Sequence, residues 1–279
     1  MKIGLLQVSS PDDESPADRR RRVRDRLLAH PDALDLIVLP ELWSAGYFHF
    51  DRYAELAESP ADSPTLAVAA QVARERGCWV HAGSFVERRP SGALRNTAAL
   101  VAPDGAVAQQ YSKVHVFGYR SLEAELLEPG DAVSVAQTPF GPTTGVTCYD
   151  LRFPPLWDEL VGIGAELVVV PAAWPLARSE HWRLLTGARA VDNQVIVVAC
   201  NATGTHGGVE AGGHSRVVDP WGRVLGEAGT AEEWLVVDVD PTVVTETRNE
   251  FPVLRDRIRD YAALSSADRN QPAREANAP

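Results

Sequence analysis

The sequence predicts an α/β fold: a four-layer αββα sandwich, with two mixed β-sheets between outer layers of helix. Three features carry that expectation. Short β-branched runs alternate with longer stretches of helical periodicity along most of the chain. Between Ser84 and Tyr111 the texture changes to a meander, with turns at Pro90-Ser91-Gly92 and Pro103-Asp104-Gly105. A similar turn recurs at Asp219-Pro220-Trp221-Gly222, which hints at two pseudo-equivalent halves without a true sequence repeat. Mixed αβ units combined with meanders imply helices covering largely buried sheets, and two such sheets face to face make the sandwich.

The elements follow in order. A first strand is expected over residues 3–8, Ile-Gly-Leu-Leu-Gln-Val. A first helix is expected over 17–29, where Val23, Leu27 and Leu28 space an otherwise basic run. Strands at 36–39, 79–86 and 97–101 and a helix at 65–76 complete the first half. The second half reads as strands at 144–148, 167–170, 195–200, 215–218 and 235–239, with helices at 155–163 and 181–191. In the last helix, His-Trp-Arg-Leu-Leu-Thr-Gly-Ala-Arg-Ala-Val, apolar residues return at helical spacing. No internal linker divides the chain, so residues 1–262 are expected to form one domain. The tail, 263–279, is rich in Ala, Ser, Asp, Asn and Pro without periodicity, and is expected to be flexible or to lie over a neighbouring subunit.

Composition narrows the function classes. With 45% hydrophobic and 23% charged residues, the 279-residue chain has ordinary globular composition. A formal net charge of -11 disfavours nonspecific attraction to nucleic acid or anionic membrane. The basic run from Arg19 to Arg26 is flanked by Asp18 and interrupted by Asp25, and reads as a solvated helix face. No stretch approaches the roughly 20 apolar residues of a membrane span, and the N-terminal apolar run is too short for a signal peptide. Three cysteines, Cys78, Cys148 and Cys200, are too few and too unpatterned for a disulfide scaffold. A cytoplasmic protein is expected.

Chemistry concentrates on three residues. Cys148 ends an apolar run and is followed by polar Tyr149-Asp150, which brings a thiol to a strand's C-terminal end, where α/β proteins build their sites. Amide N–H groups at the start of the next segment favour a thiolate and a developing oxyanion. Cys78 and Cys200 sit inside β-like runs and read as packing residues. Glu41 follows Pro40 and precedes Leu42-Trp43, so its carboxylate is expected to be partly buried and raised in pKa, as suits a general base. Lys113, in Tyr-Ser-Lys-Val-His-Val-Phe, is either an exposed strand lysine or the cation that holds an oxyanion, and alternation alone does not decide.

Leu39-Pro40-Glu41-Leu42-Trp43, Tyr111-Ser112-Lys113-Val114-His115 and Cys148-Tyr149-Asp150-Leu151-Arg152-Phe153-Pro154 resemble the three signatures of the nitrilase (carbon–nitrogen hydrolase) superfamily, in that family's order. Further similarity lies in Pro171-Ala172-Ala173-Trp174-Pro175, Ala188-Arg189-Ala190-Val191-Asp192-Asn193-Gln194, and Gly213-His214-Ser215 with Asp219-Pro220-Trp221-Gly222. The resemblance covers nearly the whole chain to about Asp240. It implies a nitrilase-like sandwich that dimerises, with Cys148 as nucleophile, Glu41 as general base, and Lys113 with the Tyr149 amide as oxyanion donors. A second glutamate of the family site lies shortly before a Leu-x-Pro-Gly turn; Glu123 holds that place and Glu125 is its near rival. No metal or organic cofactor is implied, and His206 and His214, flanked by glycines in an expected loop, show no metal-ligand spacing.

The form of the cysteine motif resembles the ω-amidase-like branch, whose substrates are small amides bearing a free carboxylate. The substrate-binding residues implied are Tyr47, Tyr149, Trp174, Arg178 and Thr203, with Arg178 as the carboxylate clamp. A nitrile or N-carbamoyl amino acid would use the same triad with different pocket loops. A catalytically silent binding or scaffold homologue is the reading from another class.

Overall fold

A computed structural model describes residues 1–258, so the tail expected at 263–279 and the end of the domain expected at 262 lie outside the described residues. The first half of the chain forms β1 (Lys2–Gln7), β2 (Leu36–Val38), β3 (Trp79–Arg88), β4 (Leu94–Val101) and β5 (Val107–Ser112). The second forms β6 (Ala136–Thr138), β7 (Gly141–Gly145), β8 (Leu167–Ala172), β9 (Ile196–Asn201), the short hairpin β10 (Thr205–His206) and β11 (Val209–Glu210), β12 (Arg216–Val218), β13 (Val224–Glu227) and β14 (Glu233–Asp238). The helices are α1 (Pro16–Ala29), α2 (Tyr53–Leu56), α3 (Pro64–Arg76), α4 (Glu123–Leu126), α5 (Pro154–Gly162), α6 (Ser179–Asn193) and α7 (Val243–Glu250). α1 and α3 begin alike: Ser15 and Ser63 accept a first-turn amide, and a proline with its φ already helical follows each.

The strands form two six-stranded mixed sheets, ordered β14-β1-β2-β3-β4-β5 and β13-β12-β9-β8-β7-β6. Each has a parallel trio, β1-β2-β3 in one and β7-β8-β9 in the other, extended by an antiparallel hairpin. The turns at Asp104-Gly105 and Trp221-Gly222 close the corresponding β4–β5 and β12–β13 hairpins. The pseudo-equivalence hinted at by the sequence is therefore topological.

Three apolar layers hold the sandwich together. Ile3, Leu5, Leu36 and Val38 of one sheet meet Leu167, Val169, Ile196 and Val198 of the other. Val23, Leu27, Leu66 and Val72 seat α1 and α3 on the outer face of the first sheet. Leu156, Trp157, Leu160 and Trp182 seat α5 and α6 on the second. Each fully buried aliphatic side chain contributes about 1.5–3 kcal/mol, so the buried strands read as nearly continuous apolar runs rather than alternating ones.

Some sequence expectations shift. The strand expected at 144–148 ends at Gly145, and a 3-10 helix, Cys148–Arg152, begins at the cysteine itself. The reason is local: Thr147 N–H turns from the sheet to the Asp150 carboxylate at 3.0 Å. The basic run is not wholly a solvated face, because Arg19 is fully buried and donates to the carbonyls of Pro11, Trp43 and Ser44. That contact ties α1 to the turn after Glu41. Among the described residues no helix is long and apolar enough to cross a membrane.

Candidate active site

The site forms where the C-terminal ends of the parallel strands of both sheets meet. Glu41 follows β2, Cys148 follows β7, and Ala173 and Trp174 follow β8. Lys113 comes immediately after β5. Two glycines let the backbones close up. A Cβ at Gly83, which has φ +68°, would stand 2.0 Å from the Pro40 carbonyl oxygen. A Cβ at Gly130 would stand 2.0 Å from the Ser112 carbonyl oxygen, and the Gly130 N–H donates to the Lys113 carbonyl at 2.8 Å. The Pro129-Gly130 turn therefore clamps the backbone of the lysine.

Lys113 is fully buried, not an exposed strand lysine. Its Nζ lies 2.9 Å from Glu41 Oε1, 2.9 Å from Glu123 Oε1 and 3.0 Å from Glu123 Oε2. Asn96 Nδ2 donates to both carboxylates, at 2.8 Å to Glu41 and 3.2 Å to Glu123. Glu41 Oε2 accepts from the Ala173 N–H at 2.9 Å. Glu123 also accepts from Tyr47 Oη and the Phe117 N–H, each at 2.8 Å. Of the two rival glutamates, Glu123 is thus the one in the cluster, while Glu125 is exposed.

Cys148 lies beside Glu41, whose charge acts on its thiol, and has φ +46°, in the left-handed region. A non-glycine residue there is strained unless its surroundings over-determine it. Asp150 supplies that constraint: its buried carboxylate accepts from Thr147 N–H at 3.0 Å, Tyr111 Oη at 2.7 Å, and His115 N–H and Nδ1 at 3.0 and 2.8 Å. The same aspartate thus joins the cysteine turn to the segment carrying Lys113. The Tyr149 N–H precedes the first bond of that turn, Asp150 N–H to the Thr147 carbonyl, and has no backbone acceptor among the described residues.

Electrostatics set the resting protonation. Burial pushes Glu41 up; Lys113 pulls it down and Glu123 pushes it up again. Burial and the Glu41 charge push the Cys148 thiol well up, against Lys113. Burial pulls Lys113 down, but Glu123 and Glu41 more than offset it, so the ammonium is retained. At rest a neutral thiol faces a carboxylate of raised proton affinity beside a fixed cation. Such a thiol can pass its proton to the carboxylate as it attacks an electrophilic carbon.

A cavity of about 410 Å³ reaches Cys148, with Tyr47, Tyr149, Trp174 and Arg178 on its wall together with Phe48, Phe117, Tyr119, Arg120, Arg152 and Val209. Thr203 does not line it: its hydroxyl turns away to the Thr230 carbonyl, and its N–H donates to the Val8 carbonyl. His206 lies in β10 rather than a loop, buried, and its Nε2 accepts from the Phe48 N–H at 3.0 Å. Among the described residues no group of three or more His, Cys, Asp or Glu is arranged to hold a metal ion. Sequence reasoning missed Asn96, Asp150 and Arg152. Asn96 did leave a signal: a strand-disfavoured residue heading the run Thr97-Ala98-Ala99-Leu100-Val101.

The sandwich and the thiol–carboxylate–ammonium cluster define the class as a hydrolase-type α/β protein. The chain belongs to the carbon–nitrogen hydrolase family, whose model matches residues 15–249. It is 39% identical to the 2-oxoglutaramate amidase of Paenarthrobacter nicotinovorans, over 94% of this chain and 91% of that one. It is 34% identical to an omega-amidase of Mus musculus, over 94% and 95% of the two chains. Among solved structures it is similar to Saccharomyces cerevisiae Nit3, a member of branch 10 of the nitrilase superfamily (TM-score 0.82, 29% identity, 92% and 97% of the two chains). It is likewise similar to an amidase from Nesterenkonia sp. (TM-score 0.78, 28% identity, 92% and 95% covered).

Proposed function

We propose that this protein is a small-molecule amidase that converts a carboxylate-bearing amide to the acid and ammonia through a Cys148 acyl-thioester. The observation that carries the reading is the contact of Lys113 with both Glu41 and Glu123 beside the Cys148 thiol, in a cavity whose wall includes Arg178. The amidase names of its relatives support the same reading.

Glu41 takes the thiol proton as Sγ bonds to the amide carbon, and the carbonyl electron pair moves onto oxygen. Lys113 Nζ and the Tyr149 N–H hold that oxyanion. The pair returns, the C–N bond breaks, and Glu41 delivers its proton to the departing nitrogen, leaving the thioester. Glu41 then takes a proton from water, whose oxygen attacks the thioester carbon. The acid departs and the proton returns to sulfur, so every proton and electron pair is carried by side chains and water. Tyr47 and Glu123 hold Lys113 in place, Trp174 shapes the wall, and Arg178 receives the substrate carboxylate.

The chain would act as one catalytic domain, pairing as a homodimer. Leu184 and Val191, seven residues apart on α6 and 69% and 45% exposed, give an apolar stripe suited to that contact. A nucleophilic thiol that must stay reduced suits the cytoplasm.

The test is a panel of small amides, nitriles and N-carbamoyl amino acids, followed by ammonia release and intact mass. Turnover of carboxylate-bearing amides with an acyl adduct, both lost in Cys148→Ala, is expected. Turnover that survives Cys148→Ala sinks the mechanism. Ammonia from nitriles but not amides overturns the substrate class, and no turnover or adduct anywhere favours a silent homologue.

A further inference from the structure

We infer that Asn96 is a positioning residue for proton transfer: its amide nitrogen occupies Glu41 Oε1 and Glu123 Oε1 together, and so leaves Glu41 Oε2 as the one oxygen that takes the thiol proton. This rests on the amidase reading and extends it to the path of that proton. Asn96 stands in β4, 1% exposed, opposite Val86 of β3. Its carbonyl accepts from the Lys113 N–H at 2.8 Å. Its side chain reaches both acids that hold the Lys113 ammonium, at 2.8 Å to Glu41 Oε1 and 3.2 Å to Glu123 Oε1. Folding alone would not choose this residue. Asparagine is disfavoured in strands, and its Oδ1 is buried with no hydrogen-bond partner among the described residues. Such an orphan costs stability. Turning the amide over would not relieve it, because Oδ1 would then face two carboxylate oxygens.

An ionised carboxylate offers about four lone-pair positions, two on each oxygen. In Glu41, Lys113 Nζ at 2.9 Å and Asn96 Nδ2 at 2.8 Å fill those of Oε1. The Ala173 N–H, at 2.9 Å, fills one of the two on Oε2. One position remains, and the sulfur lies on its side. Burial and the Glu41 charge push the Cys148 thiol up, while Lys113 and that same Ala173 N–H draw it down. In acylation the proton leaves Sγ for Oε2 as the S–C bond forms and the carbonyl pair moves onto oxygen. It passes from Oε2 to nitrogen as that pair returns and the C–N bond breaks. One oxygen thus accepts and delivers the same proton. Without Asn96, Oε1 would hold an open position as well, away from that path.

The experiment compares wild type and Asn96→Leu on succinamate and on the para-nitrophenyl monoester of succinic acid, which carries the same acyl group. Nitrophenolate leaves without a proton, whereas the amide nitrogen needs one. Two effects are expected. The acid limb of kcat/KM moves up by about one pH unit on both substrates, because Glu41 has lost a donor to its charged form. On the plateau above the limb, kcat/KM falls about tenfold to a hundredfold on the amide and at most about threefold on the ester. Equal falls on the two substrates, or an unmoved limb, would mark a merely structural role and overturn the inference. Asn96→Asp guards against a variant that does not fold: it keeps the volume but leaves at most one hydrogen for two acids, so its limb should also move up. If the wild type turns over neither substrate, the amidase reading fails separately. The limb is then read on alkylation of Cys148 by iodoacetamide, followed by mass. A limb moved up in Asn96→Leu supports the inference, and an unmoved one overturns it.

Discussion

Lys113 Nζ lies 2.9 Å from Glu41 Oε1, and neither side chain has any exposed surface. In a dry site a cation that close has large leverage over its neighbour's proton. Burial and Glu123 push the Glu41 pKa up from its ordinary 4.5, and Lys113 is the main force pulling it down. The pair therefore sets the pH below which Glu41 is protonated and can no longer accept the thiol proton.

Lys113→Met should therefore act twice. Loss of an oxyanion donor lowers kcat by about 10²–10³. Loss of the cation also raises Glu41 further, so the acid limb of the kcat/KM profile moves to higher pH. A pH–rate profile on residual activity checks both. A lower kcat with the limb unmoved would mean that Lys113 does not govern Glu41.

Glu123→Gln should move the acid limb the opposite way. The Glu123 charge raises Glu41, so its removal lowers the Glu41 pKa and extends activity to more acidic pH. The rate should still fall about tenfold to a hundredfold, because the bidentate hold on Lys113 becomes a single contact. Opposite limb shifts in the two variants identify one charge network; parallel shifts argue for simple structural damage.

Asp150→Asn tests the support of the cysteine turn. The carboxylate accepts four hydrogen bonds, including those from the Thr147 and His115 backbone. An amide nitrogen in place of one oxygen meets donors and leaves at least one buried group unpaired, at a cost of about 1–3 kcal/mol. Urea unfolding should register that loss, and kcat should fall with it as Cys148 is released from φ +46°. Full activity with unchanged stability would show that the turn is held by something else.

Glu41 and Cys148 were legible because each lies just beyond a recognisable apolar run, whereas Lys113 follows the polar strand Val107–Ser112 and was legible only through its local motif. Arg19 was not: it stands in a run of four arginines, and only the docking of α1 onto the Trp43-Ser44 turn separates it from its solvated neighbours. Thr203 shows the converse. A small polar residue just past a strand reads the same whether it faces a cavity or, as here, the Thr230 carbonyl. β6 escaped notice because three residues leave no period to read, and α7 because it opens on Val243-Val244-Thr245, a β-branched run. Asn96 belongs to the site through contacts with residues 55 and 27 positions away, which no local pattern encodes.

His81 is buried in β3, between Val38 of β2 and Leu100 of β4, and among the described residues neither ring nitrogen has a hydrogen-bond partner. Its Nε2 would stand 2.9 Å from a Cβ at Gly145, so the imidazole fills space that the glycine leaves open. Burial lowers its pKa from 6.5 to about 3. The unfolded chain takes up a proton below about pH 6.5, whereas the folded chain does not until about pH 3. Folding stability must therefore fall as pH drops through that window, by about 2–3 kcal/mol at pH 4.5 from this one residue. His81→Leu removes the titration while keeping the site filled. In urea unfolding at pH 7 and pH 4.5, the wild type should lose more stability on acidification than the variant, by about that amount. Equal losses in the two proteins would mean that His81 gains its proton without unfolding, and that the space between the sheets admits a charge.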